Sequence, residues 1–188
     1  MDFMKMFSRA WRIVSLDRPA VAETGEDESA LMPALVAVIV LSLLSGVVSS
    51  LLGAFLSSMT GQPPTGMALS IGMSVGFAVF GLFVGSGIMH LVAGMVFSGQ
   101  GSYLGLVRNV AHSTVLMSLI GFIPCCGAFI GLIWGLVVAV VIVQEWYKLT
   151  LGKAIAAVAV YFVVVLIVVG ITVALTMAGA MAGGALAS

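Results

Sequence analysis

Residues 31–56 read LMPALVAVIVLSLLSGVVSSLLGAFL and contain no charged side chain. About 20 apolar residues in a helix cross about 30 Å of hydrocarbon, so this stretch is long enough to span a membrane. The pattern predicts helices rather than a barrel, because a barrel would show short segments of alternating polarity. Four further apolar stretches of sufficient length follow, at 67–96, 103–122, 127–146 and 153–178. The sequence therefore predicts an all-α integral membrane bundle of five transmembrane helices over residues 31–178, with a small-residue tail at 179–188.

The composition agrees with a membrane protein and excludes some other classes. Hydrophobic residues make up 62% of the chain and charged residues 7%, and the mean hydropathy is +1.27. These residues cannot supply the charged surface of a soluble domain. The net charge is zero, which gives no electrostatic support for binding nucleic acid.

The few charges indicate which way the chain crosses the membrane. All seven basic and all seven acidic residues lie within residues 2–28, at Arg108, or between Glu145 and Lys153. With five spans, these three regions lie on the same side of the membrane, and the other loops and the C-terminus carry no Lys or Arg. The positive-inside rule predicts a cytoplasmic N-terminus and a C-terminus outside.

The N-terminal 18 residues have the pattern of an amphipathic helix. At 100° per residue, the aromatic face holds Phe3, Phe7 and Trp11, and the opposite, basic face holds Lys5, Arg9 and Arg12. These faces predict a helix that lies on the membrane surface and anchors the chain there. The alternative is a cytosolic helix that docks on the protein's own loops. Pro19 is expected to end this helix, and residues 19–30 to form a solvated acidic linker.

Small residues recur at helical spacing in three of the predicted spans. They bring helix backbones close together, and the same faces could pack within the bundle, against a second copy or against another protein. The repeats are Gly46, Ser50 and Gly53, then Gly72 with Gly76 and Gly81 with Gly85, then Gly127, Gly131 and Gly135.

The densest polar group lies on the third span. Arg108, Asn109, His112 and Ser113 fall on one stripe of that helix. A charge within a span usually faces the bundle interior or reaches to the membrane surface. One reading is that the stripe lines a cytoplasm-facing cavity or contacts a lipid headgroup or solute. The other is that Arg108 reaches the surface and His112 caps a neighbouring backbone group.

Three further polar residues lie towards the same side of the membrane. His90 is placed to hydrogen-bond the turn at 99–102. A bis-histidine haem or metal site would need His90 together with His112, and two isolated histidines are a weak signal, so we expect no cofactor. Glu145 can pair with Lys148 on its own helix or with Arg108 on the third span. Trp146 and Tyr147 beside them are expected to be interfacial anchors.

From residue 90 onward, short motifs occur in a recognisable order: a histidine before a Gly-rich turn, a polar helical step, a proline turn, and Lys-Ala at the start of the last helix. They are His90-Leu91-Val92, Gly99-Gln100-Gly101-Ser102-Tyr103, Ala111-His112-Ser113, Ile123-Pro124, Trp134-Gly135-Leu136, Lys148 and Lys153-Ala154. This order resembles the membrane domain of the Ypt-interacting-protein (Yip) family. The resemblance makes Gly99, Gly101, Ser102 and Pro124 the family-like turn residues. A Gly-Gly pair expected before the serine is replaced by Ser98-Gly99-Gln100-Gly101.

The resemblance implies five membrane helices and a cytoplasmic N-terminus. Eukaryotic relatives are associated with Rab-type GTPases, vesicle budding and membrane shaping, and generally have a longer N-terminal region. The short region here resembles the prokaryotic branch, which makes a GTPase partner doubtful and favours a prokaryotic plasma (inner) membrane.

We expect a non-enzymatic protein that organises or shapes the membrane or assists other membrane proteins, because no pair of ionisable residues has a spacing suited to catalysis. The alternatives are an accessory subunit of a larger membrane complex, and a transporter or channel for a small solute or lipid.

Overall fold

The computed structural model describes residues 2–61, 66–123 and 126–186. These residues form helices and turns, with no strand among them, which confirms the all-α prediction. Seven α-helices occur in chain order: α1 Phe3–Val14, α2 Arg18–Glu26, α3 Leu31–Thr60, α4 Met67–His90, α5 Tyr103–Gly121, α6 Gly127–Tyr147 and α7 Leu151–Leu186. A 3-10 turn, Glu28–Ala30, leads into α3, and a π-helical turn, Leu91–Val96, extends α4.

Five of the helical segments are long and apolar enough to cross a membrane. They are Glu28–Thr60, Met67–Val96, Tyr103–Gly121, Phe129–Tyr147 and Leu151–Thr172. Together with the composition they make the chain an integral membrane protein, and the five predicted spans are confirmed. The last helix continues to Leu186, past the end near residue 178 that the sequence predicted.

Helix α5 is the centre of the bundle. Half of its most apolar stretch is buried, against 22% or less in the other four spans. It contacts α3, α4 and α6, and also both short N-terminal helices. This position explains why the polar stripe of the sequence lies on α5, because a central helix can direct polar groups towards other parts of the protein.

The tightly packed core lies at one end of the bundle, which we call the charged end. It contains α1, α2, the turn at 97–102 and the turn at 148–150. Here α4 buries Leu82 and Met89, while α7 buries Ala154 and Val158. The opposite halves of these helices present exposed side chains such as Phe77 and Leu166. In a bilayer, such an apolar surface faces lipid or other membrane helices.

Residues 19–30 are folded, which corrects the expected solvated linker. Pro19 lies in the first turn of α2, where its missing N–H costs no helical hydrogen bond. Val21 and Thr24 of α2 are fully buried, since this helix packs on α5 and α6. Pro19 therefore begins a helix instead of ending one, and α1 and α2 form a helical hairpin (the N-terminal hairpin, Phe3–Glu26).

The small-residue faces divide into packed and open ones. A Cβ at Gly46 would lie 2.8 Å from the Cα atom of Ile71, so α3 and α4 are in close backbone contact there. Gly127 lies against the carbonyl group of Ile120, at the turn between α5 and α6. By contrast, nothing in the described chain lies within 4 Å of a Cβ built at four glycines of these repeats, which are Gly53, Gly72, Gly76 and Gly81. Intramolecular packing therefore accounts for only some of the repeats.

Candidate functional site at the charged end

Helix α1 has three faces, one more than its sequence pattern indicates. Its buried face, which includes Met6 and Ala10, packs on α5. The end of the helix reaches α6, where the indole of Trp134 donates a hydrogen bond of 2.9 Å to the carbonyl oxygen of Val14. The helix is therefore docked on its own protein, on helices α5 and α6 rather than on loops, and its place at the membrane surface stays a prediction. The aromatic face, Phe3, Phe7 and Trp11, remains exposed, at 46%, 45% and 62% of each residue.

The basic face of α1 pairs with the acidic residues that follow it. Arg9 Nη2 lies 2.6 Å from Asp27 Oδ2, and Lys5 Nζ lies 3.8 Å from the same oxygen. Arg12 binds Asp17 at 2.6 Å and Glu23 at 2.7 Å. The acidic segment is thus the counter-charge for the basic helix, so these arginines are neutralised within the chain.

These pairs shift the acid–base properties of the hairpin. Hydrogen bonds from Ser29, and then from Arg9, hold the pKa of Asp27 well below its ordinary value. The hydrogen bond from Arg12 lowers the pKa of Glu23, while the bonds to Glu23 and Asp17 raise the pKa of Arg12. All three groups are charged at neutral pH, and the hairpin is held by ion pairs as well as by apolar contacts.

Helix α2 covers most of the polar stripe of α5. Arg108 Nη1 donates a hydrogen bond of 2.7 Å to the carbonyl oxygen of Gly25, in the last turn of α2. Asn109 Nδ2 donates to the carbonyl oxygens of Val21 and Gly105, at 3.0 Å each. Ser113 Oγ bonds the carbonyl oxygen of Val110 on its own helix. Arg108 and Asn109 therefore bind helix α2 of the N-terminal hairpin, whereas Ser113 bonds within α5.

Trp146 connects three elements at the charged end. Its indole lies against Gly25 of α2 and Gly105 of α5, at positions where a Cβ would clash with the ring. Its Nε1 donates a hydrogen bond of 2.8 Å to the carbonyl oxygen of Ser102, and Gly101 packs on the same side chain. This residue was expected to be an interfacial anchor, and it is instead a packing centre. The glycines opposite it were the available signal, because small residues accommodate a large ring.

Glu145 and Lys148 are not paired as the sequence suggested. Glu145 Oε1 accepts a hydrogen bond of 2.7 Å from Arg18 Nη1, at the start of α2. Neither Arg108 nor Lys148 is its partner in the described structure, and Arg108 instead bonds the carbonyl oxygen of Gly25. Lys148 takes a left-handed conformation, with φ of +54°, and ends α6.

His90 bonds a tyrosine rather than the glycine turn. Its Nδ1 lies 2.6 Å from Tyr147 Oη. The turn reaches Tyr147 by other contacts, because the Gln100 amide donates to the carbonyl oxygen of Tyr147 and Gly99 packs on its Cβ atom. His90 and the family-like turn are therefore joined through Tyr147. Pro124, the remaining turn residue, lies outside the residues that the structure describes.

A cavity of about 420 Å³, here called the N-terminal cavity, lies between α1, α5 and the start of α3. His112 reaches it from α5 and is completely buried. Its Nδ1 is 2.8 Å from the carbonyl oxygen of Arg108, whereas its Nε2 has no hydrogen-bond partner. The polar residues around the cavity are Asp2, Lys5, Arg9, Ser29 and His112, and the apolar ones are Met6, Ala30, Met32 and Pro33. Of the polar stripe, only His112 lines this space.

Metal binding finds no support in the arrangement of side chains. Within residues 2–61, 66–123 and 126–186, no group of three or more His, Cys, Asp or Glu side chains could hold a metal ion. His90 and His112 bond different partners, Tyr147 and the Arg108 carbonyl group.

A family model described as the Yip1 domain matches residues 15–174 of the chain. The chain belongs to the Yip1 domain family. Neither a curated protein nor a solved structure matches it. The matched region includes α2, the polar stripe and the turn at Gly99, but it begins just after α1. In this Yip1-domain protein, the exposed aromatic face is therefore carried by residues before the matched region.

Proposed function

We propose that this Yip1-domain protein is a non-enzymatic organiser of membrane shape, with its charged end and N-terminus in the cytoplasm of a prokaryotic cell. The positive-inside rule supports this orientation, because every Lys and Arg lies at the charged end or within the adjoining part of α5. We propose the plasma (inner) membrane as the site of action.

The observation that carries the proposal is the exposed aromatic face of a helix whose other faces are occupied. Phe3, Phe7 and Trp11 lie on one side of α1, and the ion pairs and buried contacts hold the rest of the helix on the bundle. Aromatic side chains favour the boundary between headgroups and acyl chains. A helix inserted there adds volume to one leaflet of the bilayer and not to the other. Because the helix is attached to the bundle, the whole protein then occupies more volume in that leaflet.

Insertion of this kind depends on apolar contact more than on charge. Because Arg9 and Arg12 are paired with acids of the same chain, they contribute little attraction to anionic lipids. The proposal therefore predicts membrane shaping that depends weakly on salt and on the anionic lipid content.

Reconstitution of the full chain into vesicles of neutral lipid tests the proposal. The double variant Phe7→Ser/Trp11→Ser should give larger, less curved vesicles than the unaltered protein at equal protein-to-lipid ratio, measured by cryo-electron microscopy. The matched control, Phe7→Leu/Trp11→Phe, keeps an apolar face and should behave as the unaltered protein. Equal curvature for all three proteins, with equal incorporation, would contradict the proposal.

A second candidate function is that of an accessory subunit. It is favoured by the open glycine positions Gly53, Gly72 and Gly76, on α3 and α4 at the end opposite the hairpin. Another membrane helix could approach these backbones closely. Native mass analysis after extraction in mild detergent tests this role, because a stoichiometric partner would support it, and the chain recovered alone or as a homo-oligomer would contradict it.

A further inference from the structure

The N-terminal cavity offers both positive groups and an unused hydrogen-bond acceptor. Lys5 and Arg9 reach it from α1, and Asp2 lies at the start of the same helix. His112 reaches it from the opposite side, with an exposed fraction of 0%. A buried polar atom without a partner is costly, so the orphaned Nε2 of His112 indicates that something else satisfies it.

The contacts of the ring determine what that group must be. The Arg108 carbonyl oxygen can only accept a hydrogen bond, so Nδ1 of His112 carries the proton. In a neutral imidazole, the other nitrogen is then an acceptor. The occupant must therefore present an N–H or O–H donor to Nε2.

Among the described side chains in and beside the cavity, the charges balance. Asp2 and Asp27 oppose Lys5 and Arg9, and Asp27 is bound by both cations and by Ser29. Only one of the terminal nitrogens of Arg9 bonds Asp27 in the described structure, and Lys5 is 59% exposed at its side chain. Both cations thus retain donor capacity, while the net charge of the four groups suits an occupant that is itself neutral overall.

The other wall of the cavity is apolar and adjoins the lipid-facing surface. Met6, Ala30 and Pro33 contribute to it, and Met32 is 56% exposed at the first turn of the first span. An occupant with a polar head at His112 could therefore extend its apolar part outward past Met32 into the bilayer.

We propose that the N-terminal cavity binds the phosphoethanolamine headgroup of a membrane phospholipid. Its phosphate oxygens accept hydrogen bonds from Lys5 and Arg9, and its ammonium group donates to His112 Nε2 and to the Asp2 carboxylate. A choline headgroup carries the same charges but has no N–H, so it leaves His112 unsatisfied. This inference does not depend on the proposed membrane-shaping function.

Native mass spectrometry of lipid binding tests the assignment. The delipidated full chain in neutral detergent is titrated with phosphatidylethanolamine and with phosphatidylcholine of identical acyl chains. We expect phosphatidylethanolamine to be retained about tenfold more tightly than phosphatidylcholine, which corresponds to roughly one charge-assisted hydrogen bond. His112→Phe should abolish this preference, and His112→Gln, which keeps an acceptor, should retain part of it. Lys5→Gln should weaken both lipids about equally, whereas the control Lys153→Gln, remote from the cavity, should change neither.

Several results would overturn the assignment. Equal retention of the two lipids by the unaltered protein would overturn it. A preference for phosphatidylethanolamine that survives in His112→Phe would overturn it as well. Tighter, His112-independent binding of phosphatidylglycerol would indicate an anionic-lipid surface instead. Complete displacement of the lipid by soluble glycerophosphoethanolamine at comparable concentration would assign the cavity to a free headgroup compound, and failure to compete supports the lipid.

Discussion

Arg108 of α5 donates a hydrogen bond of 2.7 Å to the carbonyl oxygen of Gly25, in the last turn of α2. The carbonyl groups at this end of a helix lack helical partners and carry partial negative charge, so a guanidinium stabilises them. A charged residue within a predicted span therefore has a structural partner in the segment that the sequence presented as a linker.

Replacement of Arg108 should loosen α2. We expect Arg108→Leu to lower the free energy of docking the hairpin by about 1.5 kcal/mol, the value of a hydrogen bond made by a charged group. Hydrogen exchange of the amides in Arg18–Glu26 would measure the loss. Arg108→Lys keeps the charge near the helix end and should retain part of the protection. Unchanged exchange in Arg108→Leu would show that apolar contacts alone hold α2 in place.

A methyl group at Gly105 should disturb the packing around Trp146. A Cβ there would overlap the indole, and overpacking of this kind costs about 1–3 kcal/mol. Thermal unfolding of Gly105→Ala in detergent should show the loss, whereas Gly53→Ala, with open space around its Cβ, should leave the stability nearly unchanged. The second substitution Trp146→Leu should recover part of the loss in Gly105→Ala, and equal additive losses would argue against this contact.

Acid should release α1 from the rest of the hairpin. Hydrogen bonds from Ser29 and then from Arg9 lower the pKa of Asp27 in the folded protein, so they contribute stability that is fully present above the ordinary aspartate pKa of about 4. This contribution is lost progressively as the pH falls from about 4 towards the lowered folded-state pKa. Amides of Phe3–Val14 should therefore lose exchange protection as the pH falls below about 4, after correction for intrinsic rates.

The variant Asp27→Asn should show at pH 7 the weaker protection that acid produces in the unaltered protein. Glu26→Gln provides the control, because the described structure shows no ion pair for Glu26. If the protection of α1 is the same in Asp27→Asn and Glu26→Gln, and the same in acid as at pH 7, its docking depends on apolar contacts only.

The spans could be predicted from the sequence because crossing a bilayer imposes a length and an apolar composition on each helix separately. The fate of residues 19–30 could not, because Val21 and Thr24 are buried only by contacts with helices far along the chain. A local reading of an acidic, proline-containing segment indicates solvent exposure, and tertiary contacts overrule it.

The site shows the same division between local and distant information. The stripe on α5 follows from helical spacing, because Arg108 and His112 lie four residues apart on one helix. Their partners could not be predicted, since Gly25 and the N-terminal cavity are brought to them by the hairpin. The pairing of Glu145 with Arg18, 127 residues apart, was missed for the same reason.

The bond between His90 and Tyr147 should contribute to the stability of the charged end. Tyr147 is 1% exposed, and its hydroxyl group lies 2.6 Å from His90 Nδ1. Tyr147→Phe leaves the ring nitrogen without its partner, so we expect a loss of about 1–3 kcal/mol in thermal unfolding. Tyr161→Phe is the matched control, because its hydroxyl group makes no hydrogen bond in the described structure and its ring packs beside Gly85 of α4. The double variant His90→Leu/Tyr147→Phe removes both polar partners and should be less destabilised than the sum of its single variants, since replacing a buried pair by apolar groups can be nearly neutral. Strictly additive losses would show that the two residues act separately, and that the turn at Gly99 is held by the backbone of Tyr147 alone.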